Sequence, residues 1–201
     1  FVKYYVETAD LNGDGADEII LSTWESSVTT TAVPITIRVY AVENGVIVQK
    51  GTTSINVPKS NVTGLQDFIM ASAKGQFDTD DSDELVFSAV VKSNFTHVSH
   101  HYILNVSQNL QTISVGPRQQ FTMISDFPFF INDITEFGLA AGDLNGNGRD
   151  EVVFAAGRNI RVCAVNDDYT FVVKADAGVA NAGPSDYTQS NNYLKVKDVN
   201  M

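Results

Sequence analysis

The chain has 201 residues, of which 43% are hydrophobic and 18% charged, and its formal net charge at pH 7 is −11. This composition is typical of a folded protein, and the length suggests one or two domains. The negative charge argues against nucleic acid or an anionic membrane as a partner, because both require basic patches. No apolar run reaches the roughly 18 residues that a membrane span needs, so we expect no membrane insertion by this segment.

Short apolar and β-branched runs, separated by turn residues, follow one another along the chain, and no helical periodicity persists. The sequence therefore predicts an all-β fold. Asn44-Gly45 lies between two such runs and predicts a hairpin. A polar loop is expected at 26–33. The predicted strands are 1–7, 18–23, 35–42, 46–50, 67–73, 84–91, 100–106, 110–115, 136–141, 151–156, 159–164, 171–175 and 193–197.

Three nine-residue stretches share one frame, and a predicted strand follows each directly. They are Asp10–Glu18, Gln76–Glu84 and Asp143–Glu151, hereafter loops 1, 2 and 3, and they begin 66 and 67 residues apart. We expect a fourth copy to begin at Asp198. A fixed period of this size is typical of a repeat architecture. The expected units of this single domain are about 1–66, 67–135 and 136–192, with a fourth beginning at 193–201.

The loops carry oxygen donors at alternate positions, and oxygen is the ligand that Ca²⁺ prefers. Positions 1, 3, 5 and 9 can offer side-chain oxygens, and position 7 a backbone carbonyl. Gly15 at position 6 of loop 1 suits the sharp turn that such a cage needs. The predicted calcium ligands are Asp10, Asn12, Asp14, Ala16 and Glu18 in loop 1; Gln76, Asp78, Asp80, Ser82 and Glu84 in loop 2; and Asp143, Asn145, Asn147, Arg149 and Glu151 in loop 3.

Two other structures could use such loops. An EF-hand requires an acid at position 12, but Leu21 and Phe154 occupy that position within predicted strands. A simple Asn-Gly or Asp-Gly turn without metal is the second alternative. Loop 1 has three carboxylates, so we expect it to bind calcium best. Loop 2 begins with Gln76 and has Thr79 and Asp81 where the other loops have glycine; we expect Asp81 to tolerate the left-handed conformation.

At these loops the chain resembles the FG-GAP or VCBS-type repeats of integrin α-subunit propellers and many secreted proteins. The resemblance implies a β-propeller segment of about three four-stranded blades, with a calcium loop between the first two strands of each blade. The dipeptide that names the family occurs once, as Phe137-Gly138 before loop 3. The Gly-Ala-Pro expected after the second strand is absent, which favours the broader family over an integrin-like protein.

The resemblance implies a calcium-stabilised segment of a secreted or cell-surface protein that serves recognition, adhesion or structural assembly. The alternative is the propeller scaffold of a secreted polysaccharide-degrading enzyme, such as a lyase, with a rim cluster of Lys, Arg, His or Tyr. The expected partners are an unidentified protein or carbohydrate ligand and further blades, since propellers typically have four to eight. Those blades would come from a longer parent chain or from another chain.

Other polar residues have simpler expected roles. Position 8 is Asp in every loop, and strand alternation turns it away from the ion, so we expect it to bond loop amides. Cys163 lies in a strand-like run and is expected to be a buried, inert thiol. Further candidates are a transition-metal group (His97, His100, His101), an aromatic platform or inter-blade packing cluster (127–131) and glycosylation sequons (Asn61, Asn94, Asn105).

Overall fold

The computed structural model describes residues 2–25, 32–58, 68–93, 96–124, 137–156 and 159–178. These residues form strands, turns and bends without any helix, which confirms the prediction of an all-β chain. Within the described ranges there is accordingly no helix that could cross a membrane. The predicted strand 193–197, the aromatic run 127–131 and the expected fourth loop at Asp198 lie outside the described residues.

The described strands form three antiparallel sheets, each with its first four strands in chain order. Sheet 1 consists of β1 (Val2–Ala9), β2 (Glu18–Glu25), β3 (Ala32–Glu43) and β4 (Val46–Pro58). Sheet 2 consists of β5 (Phe68–Gly75), β6 (Glu84–Ser93), β7 (Thr96–Val106), β8 (Ile113–Val115) and β9 (Gln119–Ile124). Sheet 3 consists of β10 (Phe137–Gly142), β11 (Glu151–Ala156), β12 (Asn159–Val165) and β13 (Phe171–Gly178).

Sheet 2 has five strands because its outer strand is interrupted. Both β8 and β9 pair with β7, β8 at its C-terminal end and β9 at its N-terminal end. The predicted strand 110–115 is shorter in the structure because Leu110 lies in a turn with φ 61°. The sequence did not predict β9. Pro117 lies between β8 and β9, and proline lacks the N–H that continued pairing would use.

Sheet 1 is larger than predicted. Strand β4 continues to Pro58, beyond the predicted end at Lys50, and β3 begins at Ala32, inside the predicted polar loop. Along β4 the buried residues alternate with exposed Thr, Ser and Asn. Such a polar outer face does not weaken a strand when its other face packs on a core. Residues 26–31 of the predicted loop lie outside the described residues.

The three sheets stack in chain order through two apolar clusters. One cluster joins sheets 1 and 2 and contains Ile35, Val39, Phe87 and Leu104 among its members. The second cluster joins sheets 2 and 3 through residues such as Val86, Ile103, Val152, Phe154 and Cys163. Sheet 2 therefore packs on both faces, which explains why residues 84–91 of β6 are all buried. This stacking places the three loops at the same end of neighbouring strands.

Candidate metal centres in three loops

Loops 1 and 3 form around the carboxylate at position 1. Asp10 Oδ1 accepts N–H bonds from Gly13 (2.9 Å) and Asp14 (3.1 Å), and Oδ2 accepts from Gly15 (2.8 Å). Both glycines have positive φ, 73° and 87°, which a side chain would disfavour. Asp143 makes the equivalent bonds in loop 3, and they lower its pKa, the Gly148 N–H most. The position-1 aspartate thus organises its own loop.

The glutamate at position 9 begins the second strand of each sheet and is buried. Glu18, Glu84 and Glu151 are 4%, 0% and 4% exposed. In each, Oε2 accepts the N–H of position 2, at 3.1, 2.8 and 3.0 Å respectively. One carboxylate oxygen therefore closes the loop, and in Glu84 and Glu151 the other accepts a bond from an asparagine side-chain amide. Burial raises the pKa of Glu18, and neighbouring acids add to that effect.

Loop 2 brings three carboxylates together. The ligand oxygens of Asp78, Asp80 and Glu84 all lie within 4.8 Å of one another, the one such acidic group among the described residues. Burial, with a smaller contribution from the charges of Asp78 and Asp80, raises the pKa of Glu84 to about 8. Three carboxylates this close repel one another when ionised. Together they offer only oxygen ligands, and a bound cation would offset their repulsion, so the group suits a hard cation such as Ca²⁺.

Loop 2 reaches this arrangement by a different backbone path. Thr79 and Asp81 replace the glycines, and neither has a positive φ, so the loop forms without the left-handed conformation that Asp81 was expected to tolerate. Asp78 Oδ1 accepts the Asp80 N–H at 2.9 Å, and Asp80 Oδ1 accepts the Ser82 N–H at 2.8 Å. The Gln76 amide donates to the Asp80 carbonyl, and its buried Oε1 has no hydrogen-bond partner. Loop 2 thus holds its acids without the position-1 carboxylate.

Two residues from outside loop 2 close it, and sequence analysis missed them in this role. Tyr169, on the β12–β13 hairpin of sheet 3, donates its hydroxyl to Asp78 Oδ2 at 3.1 Å. Asn105 Nδ2 in turn donates to that hydroxyl at 2.6 Å. Burial raises the pKa of Tyr169 to about 12, so the hydroxyl remains protonated. The Asn105 sequon nitrogen is therefore engaged inside the fold; Asn61 and Asn94 lie outside the described residues.

Two of the three position-8 aspartates, Asp83 and Asp150, bond amides of the preceding loop. Asp83 Oδ2 accepts the Asp10 N–H at 3.1 Å, and the Asp83 N–H donates to the Asp10 carbonyl at 2.7 Å. Asp150 makes the same pair of bonds to Gln76, at 3.0 and 2.8 Å. Asp17 instead forms an ion pair with Lys74, at 3.2 Å. These paired bonds, hereafter the loop staples, connect the three loops in series.

The position-7 residue of loop 3 adds a second link. The sequence assigned only a backbone carbonyl to Arg149, but its guanidinium also reaches the neighbouring loop. Nε donates to the Phe77 carbonyl of loop 2 at 2.9 Å, and Nη1 donates to Asp167 at 2.7 Å. Loops 2 and 3 are therefore held together more tightly than loops 1 and 2, where Ser82 occupies the equivalent position.

The two histidine side chains that the structure describes do not converge on a metal. His100 and His101 are adjacent on β7, so their side chains point to opposite faces of sheet 2. His101 bonds the hydroxyls of Ser88 and Ser99, both at 2.7 Å, and burial lowers its pKa to about 3. The His97 side chain lies outside what the structure describes. Cys163 is a buried free cysteine whose pKa burial raises to about 12, in agreement with the expected inert thiol.

Comparison with known proteins gave no match to any family model, curated protein or solved structure.

Proposed function

We propose that this chain is a calcium-stabilised β-propeller segment of a secreted or cell-surface protein, serving recognition, adhesion or structural assembly. The observation that carries this proposal is the carboxylate group of loop 2, where Asp78, Asp80 and Glu84 meet within 4.8 Å. A bound Ca²⁺ would offset the repulsion among these groups. Loops 1 and 3 offer the same positions with Asp10 and Asp143 as organising residues, so all three loops are candidate sites.

The ion's role in this proposal is structural. Each loop joins the first and second strands of its sheet, and the loop staples join one loop to the next. Calcium bound in a loop would fix the ends of two strands and, through the staples, the spacing of neighbouring sheets. Three sheets with the same strand order, stacked in sequence, are consistent with successive propeller blades. Recognition surfaces would then lie on the stiffened sheets rather than at the ions.

Calcium titration tests the proposal. Isothermal calorimetry of the metal-free chain should show calcium binding, and calcium should raise the melting temperature while excess EDTA lowers it. Magnesium should have a smaller effect because it demands a tight octahedral site. Glu43→Gln is a matched control, since Glu43 is an exposed acid that pairs with Lys50 outside the loops. Calcium-independent melting together with no binding heat would leave these loops as simple turns.

A further inference from the structure

The outer hairpins of sheets 2 and 3 each place one left-handed residue against the preceding sheet. Leu110 of the β7–β8 hairpin and Tyr169 of the β12–β13 hairpin both have φ 61°, and each packs in the apolar cluster of its junction. Both turns close with the same bond, from the N–H of this residue to the carbonyl three positions earlier, 2.6 Å long at Leu110 and 2.8 Å at Tyr169. The two residues are therefore structurally equivalent, and only the tyrosine carries a hydroxyl.

Contacts with sheet 2 fix the position of Tyr169. A Cβ on Gly116, between β8 and β9, would lie 2.9 Å from Tyr169 Cβ, so a larger residue there would displace the hairpin. Gln119 of β9 holds the hairpin from the same side. Its Oε1 accepts the Phe171 N–H at 2.8 Å, and its Nε2 donates to the Tyr169 carbonyl at 3.3 Å. The direction of the tyrosine hydroxyl therefore depends on the packing of sheet 3 against sheet 2.

The Tyr169 hydroxyl connects to two of the three carboxylates of loop 2. It donates to Asp78 Oδ2 at 3.1 Å and accepts from Asn105 Nδ2 at 2.6 Å. The same Asn105 nitrogen lies 3.5 Å from Glu84 Oε1. An amide nitrogen has two protons and only donates, so Asn105 can serve both partners, and the single hydroxyl proton is left for Asp78. Groups outside the loop thus orient Asp78 and Glu84.

These bonds leave the carboxylates able to bind a cation. An ionised carboxylate has about four lone-pair sites. Asp78 uses one for the Tyr169 hydroxyl and one for the Asp80 N–H, so further sites remain. Partners that orient a metal ligand from behind matter for affinity, and their loss typically weakens metal binding by about 10–100-fold.

We infer that Tyr169 is a positioning residue for calcium at loop 2, and that calcium binding and the packing of the β12–β13 hairpin on sheet 2 strengthen each other. This inference rests on the proposed function, since it assumes calcium in loop 2. The hydroxyl holds Asp78 where its oxygen meets those of Asp80 and Glu84. Because linked equilibria are reciprocal, calcium then stabilises the packed hairpin by the same factor by which the packed hairpin raises calcium affinity.

A calcium titration of Tyr169→Phe, followed by ¹⁵N–¹H NMR, tests the first half of the inference. The Phe77 and Asp80 N–H groups bond ligand carboxylates of loop 2, and the Gly15 and Gly148 N–H groups bond those of loops 1 and 3, so each loop has its own reporter. The variant keeps the ring and removes only the hydroxyl. Its calcium affinity at loop 2 should fall by about 10–100-fold. The affinities of loops 1 and 3 should not change.

Tyr5→Phe is the matched control. The Tyr5 hydroxyl also joins two sheets, since it donates to the Ser72 carbonyl at 3.4 Å, but it does so at the junction of sheets 1 and 2. Removing it should leave the calcium affinity of loop 2 unchanged. A comparable loss of loop 2 affinity in both variants would mean that any weakened junction has this effect, and it would overturn the specific role of Tyr169.

Hydrogen exchange tests the reciprocal half. Calcium should slow exchange of the Asn166 and Tyr169 N–H groups, which close the hairpin, and should do so less in Tyr169→Phe. A purely structural hydroxyl would lower stability equally with and without calcium and leave loop 2 affinity unchanged. That result, or tighter binding in the variant, refutes the inference alone when the parent chain binds calcium at loop 2. A parent chain that binds none there refutes the proposed function as well.

Discussion

Glu84→Gln should change stability in opposite directions with and without calcium. Glu84 is fully buried, and its carboxylate shares loop 2 with Asp78 and Asp80. Without calcium, ionised Glu84 would face two negative neighbours, so the folded chain keeps it protonated. A glutamine has nearly the same shape and no charge. Its amide can still accept the Phe77 N–H through its oxygen and donate to the neighbouring carboxylates through its nitrogen.

The size of the calcium-free effect follows from the pKa of Glu84, which is about 8 in the folded chain against 4.5 for an unperturbed glutamate. Between these two values the folded state binds more protons than the unfolded state, so stability falls as pH rises through this window. At pH 7 the cost is about 3 kcal/mol, from about 1.4 kcal/mol per pH unit. Glu84→Gln removes that cost and should raise the calcium-free unfolding free energy by up to this amount.

In calcium the same substitution should be destabilising, because it removes a charged ligand. Saturation at a hundredfold excess over Kd contributes about 2.7 kcal/mol per site, and the variant should lose most of this at loop 2. Urea denaturation of both chains, in EDTA and in calcium, at pH 5 and pH 8, measures all of these quantities. The pH dependence in EDTA should be weaker in the variant. Equal destabilisation with and without calcium would contradict the assignment of Glu84 as a ligand that repels its neighbours.

Two further predictions concern the junctions and the interior. Asp150→Ala removes the carboxylate that accepts the Gln76 N–H, so it should lower the unfolding free energy, measured by urea denaturation, by about 1–3 kcal/mol. Asp17→Ala, at the equivalent exposed position, is the control and should lower it by less than about 0.5 kcal/mol at low protein concentration. The pKa of His101 is lowered to about 3, so the unfolded chain takes up a proton that the folded chain excludes, and stability should fall as pH drops from about 6.5 toward 3. In His101→Gln the urea midpoint should decrease less as the pH drops below about 6.5. An unchanged decrease would refute the role of His101 in this pH dependence.

The sequence alone determined the local structure of this protein. Alternating apolar residues predicted the all-β fold, and the Asn44-Gly45 hairpin is present with φ values of 52° and 76°. The loop spacing placed each oxygen-rich stretch between the first two strands of a sheet. These features depend on residues a few positions apart, because strand alternation and turn conformation are properties of neighbouring residues. The errors in β4 and at Leu110 lie at strand ends, where packing decides how far a strand continues.

Only the tertiary structure decided which residues meet across the sheets. The staple from Asp83 to Asp10 joins residues 73 positions apart, and the hydroxyl bond from Tyr169 to Asp78 joins residues 91 apart. Sheet stacking brings these groups together, and stacking results from the summed burial of whole apolar faces rather than from any local pattern. Loop 2 gathers three carboxylates although the sequence favoured loop 1. The Tyr169 hydroxyl of the next sheet bonds Asp78 there, whereas the corresponding left-handed residue of the sheet beside loop 1 is the apolar Leu110.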